Sequence, residues 1–583
     1  MKVQKRDRSN ASSDAGRLVS KSSLSQSPAN LILAGLFLAT VSVMAINQAH
    51  AEDSVTLEEV KDLKAKLKML EQRLDAQARE QKQIIRAQAA APIVKGGVPV
   101  AYEPPQPWDK KWHLNGITIT PGGFFAMEGV WRSRAQGADI GDIPFGSIPF
   151  PNTSPAHTNE LRFSARQSRV SALVEGDANP ATHISGYGEL DFLGAANTAN
   201  SNESNSYNPR IRHMYTTVDW NDIGLHFLGG QTWSLVTMNG KGITPRNEVT
   251  PLTIDAQYVA GFTWARQPGI RLTKELGNNF WLAASAEMAQ NPSCPTGAAF
   301  VTAGVGQLVT CNMAPGGGGL LNSTTTYSFN HIPDFIGKAA WEPIIADRQM
   351  HFEAFGMYTD VYDRVSTASA VGAAGSILSF NSNKDTSGWG AGGGFIIPVL
   401  PKLVDIQGSG MVGRGIGRYG SSQLTQTVAS PLGSLDALPE AMFLLGAVVH
   451  ATPQLDLYAY GGGEKILSQQ IFTGTTAPGY GNPALANNSG CYIEFGTCTG
   501  ATKDAWEITA GFWDKVYQGD FGSLRVGMQY AFIQRDLYQG FLTTAPLPVN
   551  LSTPKTNVNT VSASIRYYPF DAPPPAPPLV AKY

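Results

Sequence analysis

Leu524–Phe532 reads LRVGMQYAF, and this stretch decides the fold. Leu524, Val526, Met528, Tyr530 and Phe532 fall on one face of an extended chain, while Arg525, Gly527, Gln529 and Ala531 fall on the other. Successive side chains of a strand point to opposite faces, so this is a strand with one apolar and one polar side. The division recurs along the chain. Phe125, Met127, Gly129 and Trp131 alternate with Ala126, Glu128, Val130 and Arg132; Ile184, Gly186, Gly188, Leu190 and Phe192 alternate with Ser185, Tyr187, Glu189 and Asp191. Val561, Ala563, Ile565 and Tyr567 repeat the pattern against Ser562, Ser564 and Arg566. Such runs approach the roughly 9–11 residues that a tilted strand needs to cross a bilayer. A soluble sandwich would instead turn its charges to water and bury its aromatics against a second layer.

The connections alternate too. Short turns fall at Asp177–Ala181, Asp219–Ile223, Gly277–Asn279, Pro398–Pro401, Ala451–Gln454 and Tyr517–Phe521. Long loops fall near 135–158, 290–332, 364–386, 419–438, 467–502 and 536–555. Counting strands between Ile117 and Tyr568 gives sixteen, so the expected fold class is all-β. The expectation is a 16-stranded antiparallel transmembrane β-barrel over 112–570, closed because lipid tolerates no unpaired strand edge. Val561–Phe570 has the alternation of a terminal barrel strand, the kind of signal that barrel insertion machinery reads, although Phe570 is out of phase and Pro569 ends the ladder. A Pro-rich tail, 571–583, follows.

Ahead of the barrel, the chain changes character. Lys2, Lys5, Arg6, Arg8, Arg17 and Lys21 precede an apolar run, Leu31–Ile46, and Ala49-His50-Ala51 fits a small-x-small cleavage site. Residues 1–51 therefore read as a signal peptide for export to a bacterial outer membrane. A single-pass anchor competes, but a 16-residue run is short of the about 20 residues a spanning helix requires. Over 52–90, Val60, Leu63, Leu67, Leu70 and Leu74 step by three and four. That is a heptad seam, and an N-terminal periplasmic coiled-coil helix with partner helices is expected. A lone amphipathic helix is the alternative. Residues 91–111 form a Pro/Gly-rich linker.

Composition narrows the function classes. Removing 1–51, with its six Lys/Arg and two Asp/Glu, leaves 38 basic against 44 acidic residues, a formal −6. That balance offers no electrostatic footprint for nucleic acid. Histidines are scattered without ligand spacing; no catalytic constellation, metal site or cofactor is read from the sequence. The four cysteines fall in two local pairs, Cys294 with Cys311 and Cys491 with Cys498. After export each pair can close a loop as a disulfide, and neither has the CxxC or His spacing of a metal site.

Candidate functional residues follow from the cost of charge in lipid. A guanidinium facing mid-membrane costs about 2–4 kcal/mol, so strand arginines should project into the lumen. This makes Arg162, Arg166, Arg169, Arg210, Arg212, Glu128 and Arg132 candidate pore-lining residues. Parity serves Arg162 and Arg166; past Gln167 the phase slips, and a bulge would keep Arg169 inside. One loop, Ser234–Pro268, stands outside the alternation of turns between strands Gly224–Trp233 and Gly269–Glu275. If it enters the lumen, Arg246, Glu248, Asp255 and Arg266 become constriction residues. The bland alternatives are an ordinary extracellular loop, and arginines that serve as ionic ties between loop and wall.

Leu161–Val170 (LRFSARQSRV), Pro209–Tyr215 (PRIRHMY) and Leu228–Trp233 (LGGQTW), with the heptad segment and the linker, resemble the coiled-coil trimeric porins of the dicarboxylate type, the DcaP-like family. The layout is also similar to that of phosphate-selective porins and, in the lumenal loop, of the trimeric general porins. The resemblance in residues covers about a quarter of the barrel. It implies a homotrimer set among outer-membrane lipid and lipopolysaccharide, passing small anionic or polar solutes. A plugged barrel that binds a surface partner or anchors the envelope is the competing reading.

Overall fold

In the computed structural model the described residues are 110–138, 140, 145–194, 207–293, 299–302, 305–311, 327–368, 381–431, 433–472, 479–542 and 551–571, with Val94–Lys95 and Val98–Pro99. The chain divides into two compact units, 1–106 and 107–583. In the first, Val94–Lys95 pairs antiparallel with Val98–Pro99 within the linker. The signal segment, the heptad helix and the tail beyond Asp571 lie outside the described residues.

The second unit is a closed antiparallel barrel. Its staves are β1 (Ile117–Arg132), β2 (Glu160–Ser164, resumed at Arg169–Asn179), β3 (Thr182–Gly194), β4 (Asn208–Trp220), β5 (Leu225–Trp233) and β6 (Arg266–Glu275). They continue with β7 (Phe280–Glu287), β8 (Asp334–Trp341), β9 (His351–Ala368), β10 (Asn381–Leu400) and β11 (Val404–Arg414). The last five are β12 (Pro439–His450), β13 (Leu455–Ile466), β14 (Thr502–Gly519), β15 (Gly522–Leu537) and β16 (Lys555–Tyr568). Tyr567 pairs with Phe125 and Thr560 with Arg132, so β16 closes on β1 and the sixteen staves leave no open edge. That satisfies the backbone without water, the condition for spanning lipid.

The apolar parity faces outward. Phe125 is 64% exposed and Ile565 48%, and Leu161, Phe163, Ile211, Ile270, Phe335, Trp389, Phe443 and Met528 continue the band. On a soluble protein this would be a large unexplained patch; on a barrel it is the lipid surface. Short turns join staves at one rim and long connections at the other. The segment 234–265 keeps its place in this order, contrary to the expectation that it breaks the alternation. β3 and β4 are full staves of 13 residues each.

The inward face departs from a purely polar wall. Trp281, Ile336, Phe355, Met357, Met411 and Met442 point inward and form a buried cluster with Leu235, Val236 and Ile243 of the 234–265 loop and with Tyr419. Val130, Leu444, Val448, Tyr458, Tyr460 and Trp513 do the same with Ile254, Val259 and Phe262. The reason is packing: a loop folded into the lumen gives apolar side chains of the inner wall something to bury against.

Candidate functional site

The inner loop leaves β5 at Ser234 and meets the wall first at β7–β9. The Leu235 amide donates to Glu287 Oε1 at 2.8 Å and the Asn239 amide to Glu353 Oε2 at 3.0 Å; the Gly242 amide donates to Glu342. Lys338 Nζ donates to the Thr237 carbonyl at 2.8 Å and ion-pairs with Glu353 at 2.8 Å. The loop then makes a small hairpin, with Val249 N on the Met238 carbonyl at 2.8 Å. Beyond it the loop reaches the opposite wall. The Leu252 amide donates to Tyr460 Oη (3.0 Å), Ile254 to Gln529 Oε1 (2.6 Å), Ala260 to Glu507 Oε2 (3.0 Å) and Gly261 to Glu464 Oε1 (2.9 Å). Trp513 Nε1 and Arg566 donate back to the carbonyls of Leu252 (2.8 Å) and Ile254 (2.6 Å). Buried backbone donors must be paired, and here wall carboxylates and amides pair them across the lumen.

The sequence assigns none of these anchors a role at the inner loop, although Gln529 and Arg566 fall on the polar faces of their strands. Their signal is indirect: inward-parity Glu residues in strands, and the run Gly461-Gly462-Gly463 just before Glu464 in β13. A Cβ on Gly462 would stand 2.3 Å from the Ala260 carbonyl, which is how glycine in a strand marks a close backbone approach.

Between the loop and β1–β5, cavities remain. β2 carries its arginines past an extra residue: Ser164 lies opposite Glu128 and Arg169 opposite Phe124, five steps against four. Across this bulge Arg169 faces inward, 3.8 Å from Glu189. A second irregularity pairs Glu189 with His213 and Leu190 with Ile211, and it turns both Arg212 and His213 into the interior. Arg212 binds Glu189 at 2.6 Å and Asp191 at 3.0 Å; Arg210 binds Asp191 at 2.7 Å. Opposite them, Arg246 adopts φ +67, a region uncommon outside Gly and Asn. It donates to Tyr215 Oη at 3.3 Å and lies 5.9 Å over the Tyr187 ring.

Arg169, Tyr187, Glu189, Arg212, Arg246 and Glu248 line one cavity of about 230 Å3. It shares Arg169, Tyr187, Glu189 and Thr250 with a second, of about 480 Å3, that reaches the short-turn rim past Arg566, Arg525, Lys515 and Asp571. A third, about 690 Å3, sits at the long-loop rim against Arg162, Glu160, Phe150 and Arg535. Burial pushes the Glu248 carboxyl up against the pull of Arg271, 3.9 Å away. Burial also raises the Asp255 carboxyl, despite the hydrogen bonds from Gln529 at 3.2 Å.

The other candidates are placed as follows. Arg162 pairs with Glu160 at 3.2 Å in the third cavity. Arg166 lies in the break of β2, its guanidinium 3.7 Å over the Tyr207 ring, and does not join the Arg169–Arg212 group. Glu128 is buried and accepts from Arg566 Nε at 2.9 Å and Ser564 at 3.1 Å. Arg132 is buried against Glu160 at 2.8 Å, at the long-loop end of β1. Arg266 lies between the Trp233 and Trp264 rings, 5.2 and 5.6 Å from their centres. Asp255 faces β15 rather than the arginine wall. Cys491 and Cys498 are bonded to each other. Cys311 is disulfide-bonded, while Cys294 lies outside the described residues.

A closed sixteen-stranded barrel with an apolar outer belt and a loop folded inside it is a transmembrane β-barrel fold. The chain shares this fold with the outer-membrane channel DcaP of Acinetobacter baumannii: 15% identity, TM-score 0.51, covering 78% of this chain and 97% of that one. OprB of Pseudomonas putida (10% identity, TM-score 0.40, 77% and 94%) and the anion-selective porin from Comamonas acidovorans (10%, 0.38, 78% and 99%) are more distant. No protein-family model matches the chain, and no curated protein matches it.

Proposed function

We propose that this protein is a passive outer-membrane porin that favours small anions, such as carboxylates or phosphate, over cations. One observation carries the reading. Among the described residues, Arg169, Arg212 and Arg246 border a cavity lined by two carboxylates, Glu189 and Glu248, and it shares Arg169, Tyr187, Glu189 and Thr250 with a larger cavity at the short-turn rim. Fixed charges facing each other across a narrow, low-dielectric path act on a passing ion more strongly than they would in water. The excess of guanidinium sets the sign. The shared barrel of DcaP, itself a channel, supports the same reading. Diffusion needs no energy coupling and no cofactor. The exported chain would assemble as a homotrimer through its heptad seam, with gentle extraction giving a trimer on native gels.

The second reading, a plugged barrel for surface binding or envelope anchoring, draws on the apolar clusters the loop builds inside the lumen. Planar-bilayer recording separates the two. A porin conducts, and in a salt gradient its reversal potential takes the sign of anion preference. A silent barrel favours the plug, and a cation-signed potential removes the anion reading.

A further inference from the structure

Outside the lumen, the β9–β10 hairpin carries a cluster that the channel reading does not use. The register pairs Asp360 with Ser387 and Tyr362 with Asp385. Asp360 and Asp385 are thus diagonal neighbours on one face, within side-chain reach of each other. That face is the outer one: Tyr358, two residues before Asp360, pairs with Trp389, and both belong to the exposed belt. The site lies just beyond the end of β8, which starts at Asp334, and His331 from the preceding segment folds over it. His331 Nδ1 is 3.5 Å from Asp360 and Nε2 is 3.4 Å from Asp385. One ligand atom from each of the three lies within 4.8 Å of the others. The Tyr362 ring packs on the imidazole at 4.2 Å and fixes its orientation.

Two features make this more than an acidic patch. Asp360 is only 8% exposed, and its Oδ2 is fully buried with no hydrogen-bond donor, although it points into the cluster. A buried carboxylate oxygen left this way is costly unless a cation meets it. Second, a neutral imidazole carries one N–H and cannot donate to both carboxylates, and both of its contacts are longer than good hydrogen bonds.

We propose that His331, Asp360 and Asp385 form a binding site for a divalent first-row transition cation such as Zn2+, on the outer face of the barrel at its long-loop rim. An imidazole nitrogen with two carboxylate oxygens suits such ions, whereas Ca2+ and Mg2+ favour all-oxygen shells. Three protein ligands leave a position open to solvent, where Asp385 and His331 are exposed. A bound ion would pin the segment ahead of β8 to the β9–β10 hairpin.

The test is Zn2+ titration of the intact, detergent-solubilised protein by calorimetry, with millimolar Mg2+ present throughout. The expected result is saturable uptake of one Zn2+ per protomer at this site. Losing an outer-shell partner alone typically weakens metal binding about 10–100-fold, so His331→Ala and Asp385→Asn should each weaken uptake at least as much. Both positions are exposed, and heat-dependent gel mobility checks that the barrel is intact. X-ray absorption on the zinc-loaded protein should show mixed nitrogen and oxygen ligation that changes in His331→Ala. The proposal is overturned if wild type shows no saturable uptake with Mg2+ present, or if either variant binds Zn2+ like wild type.

Discussion

Gly261 of the inner loop lies against the Phe443 carbonyl of β12, so closely that a Cβ on Gly261 would stand 1.8 Å from that oxygen. Its φ of +88 is also a conformation that side chains disfavour. Gly261→Ala should therefore lift this end of the loop from the wall. Overpacking of this kind costs about 1–3 kcal/mol. Thermal unfolding should shift down and single-channel conductance should rise; wild-type values for both would mean the loop is not seated here.

Glu464 accepts the amides of Gly261 and of Ser422 at 2.9 and 2.8 Å. Glu464→Ala strands two buried donors, at about 1–3 kcal/mol each. Glu464→Gln keeps an acceptor oxygen and should lose much less. Denaturant unfolding of the two variants checks the difference, and equal losses would show that the carboxylate's charge, not its acceptor geometry, holds the loop.

Arg212 and Arg246 border the same cavity but differ in what holds them. Arg212 is buried between Glu189 and Asp191, and breaking such a pair costs about 3–5 kcal/mol. Arg246 is exposed to the lumen, where substitutions usually change stability by no more than about 0.5 kcal/mol. Both Gln variants should move the reversal potential toward cations, but only Arg212→Gln should lower the unfolding midpoint strongly. The potential shift should shrink near 1 M salt, where the screening length is about 3 Å. An unmoved potential in Arg246→Gln would make these arginines structural ties.

Asp255, like Glu248, is an inner-loop carboxyl that burial raises. Burial raises it above its ordinary value of 3.8, with Glu128 adding to the push. A raised acid favours the folded loop while protonated. Its contribution is complete below the ordinary value and is lost as pH rises through the raised one. Loop seating should therefore loosen on going from about pH 4 toward neutrality, and Asp255→Asn should flatten that change. Recording current noise against pH for both proteins decides it; the same profile in each would rule Asp255 out.

The Cys491–Cys498 bond closes a short loop, with a separation of seven residues. Loop-closure entropy gives such a bond about 2–3 kcal/mol, acting on the loop rather than on the staves. Cys491→Ser with Cys498→Ser should leave barrel spectra intact while speeding protease cleavage between β13 and β14. Mass mapping of the native protein should also join Cys311 to Cys294. A bond from Cys311 to any other cysteine would place two long loops together.

The barrel was legible from residue order because strand parity is a local property. LRVGMQYAF or Val561–Tyr567 can satisfy both lipid and lumen only as a strand, and sixteen such runs with alternating turn lengths leave closure as the remedy for open edges. The cost of guanidinium in lipid likewise gives the expectation that Arg162, Arg166, Arg169, Arg210 and Arg212 turn inward, although Arg166 sits over the Tyr207 ring apart from the Arg169–Arg212 group. Chain order could not say what meets them there. The approach of Arg169 to Glu189 depends on the extra residue after Ser164, and the pairing of Arg212 with Glu189 and Asp191 on the extra residue at Arg212; each shifts the register by one. The path of the inner loop was beyond reach for the same reason. Its course is set by Glu287, Glu353, Glu464 and Glu507, up to 247 residues away in sequence. Only a closed barrel brings those carboxylates within hydrogen-bonding distance of one loop's amides.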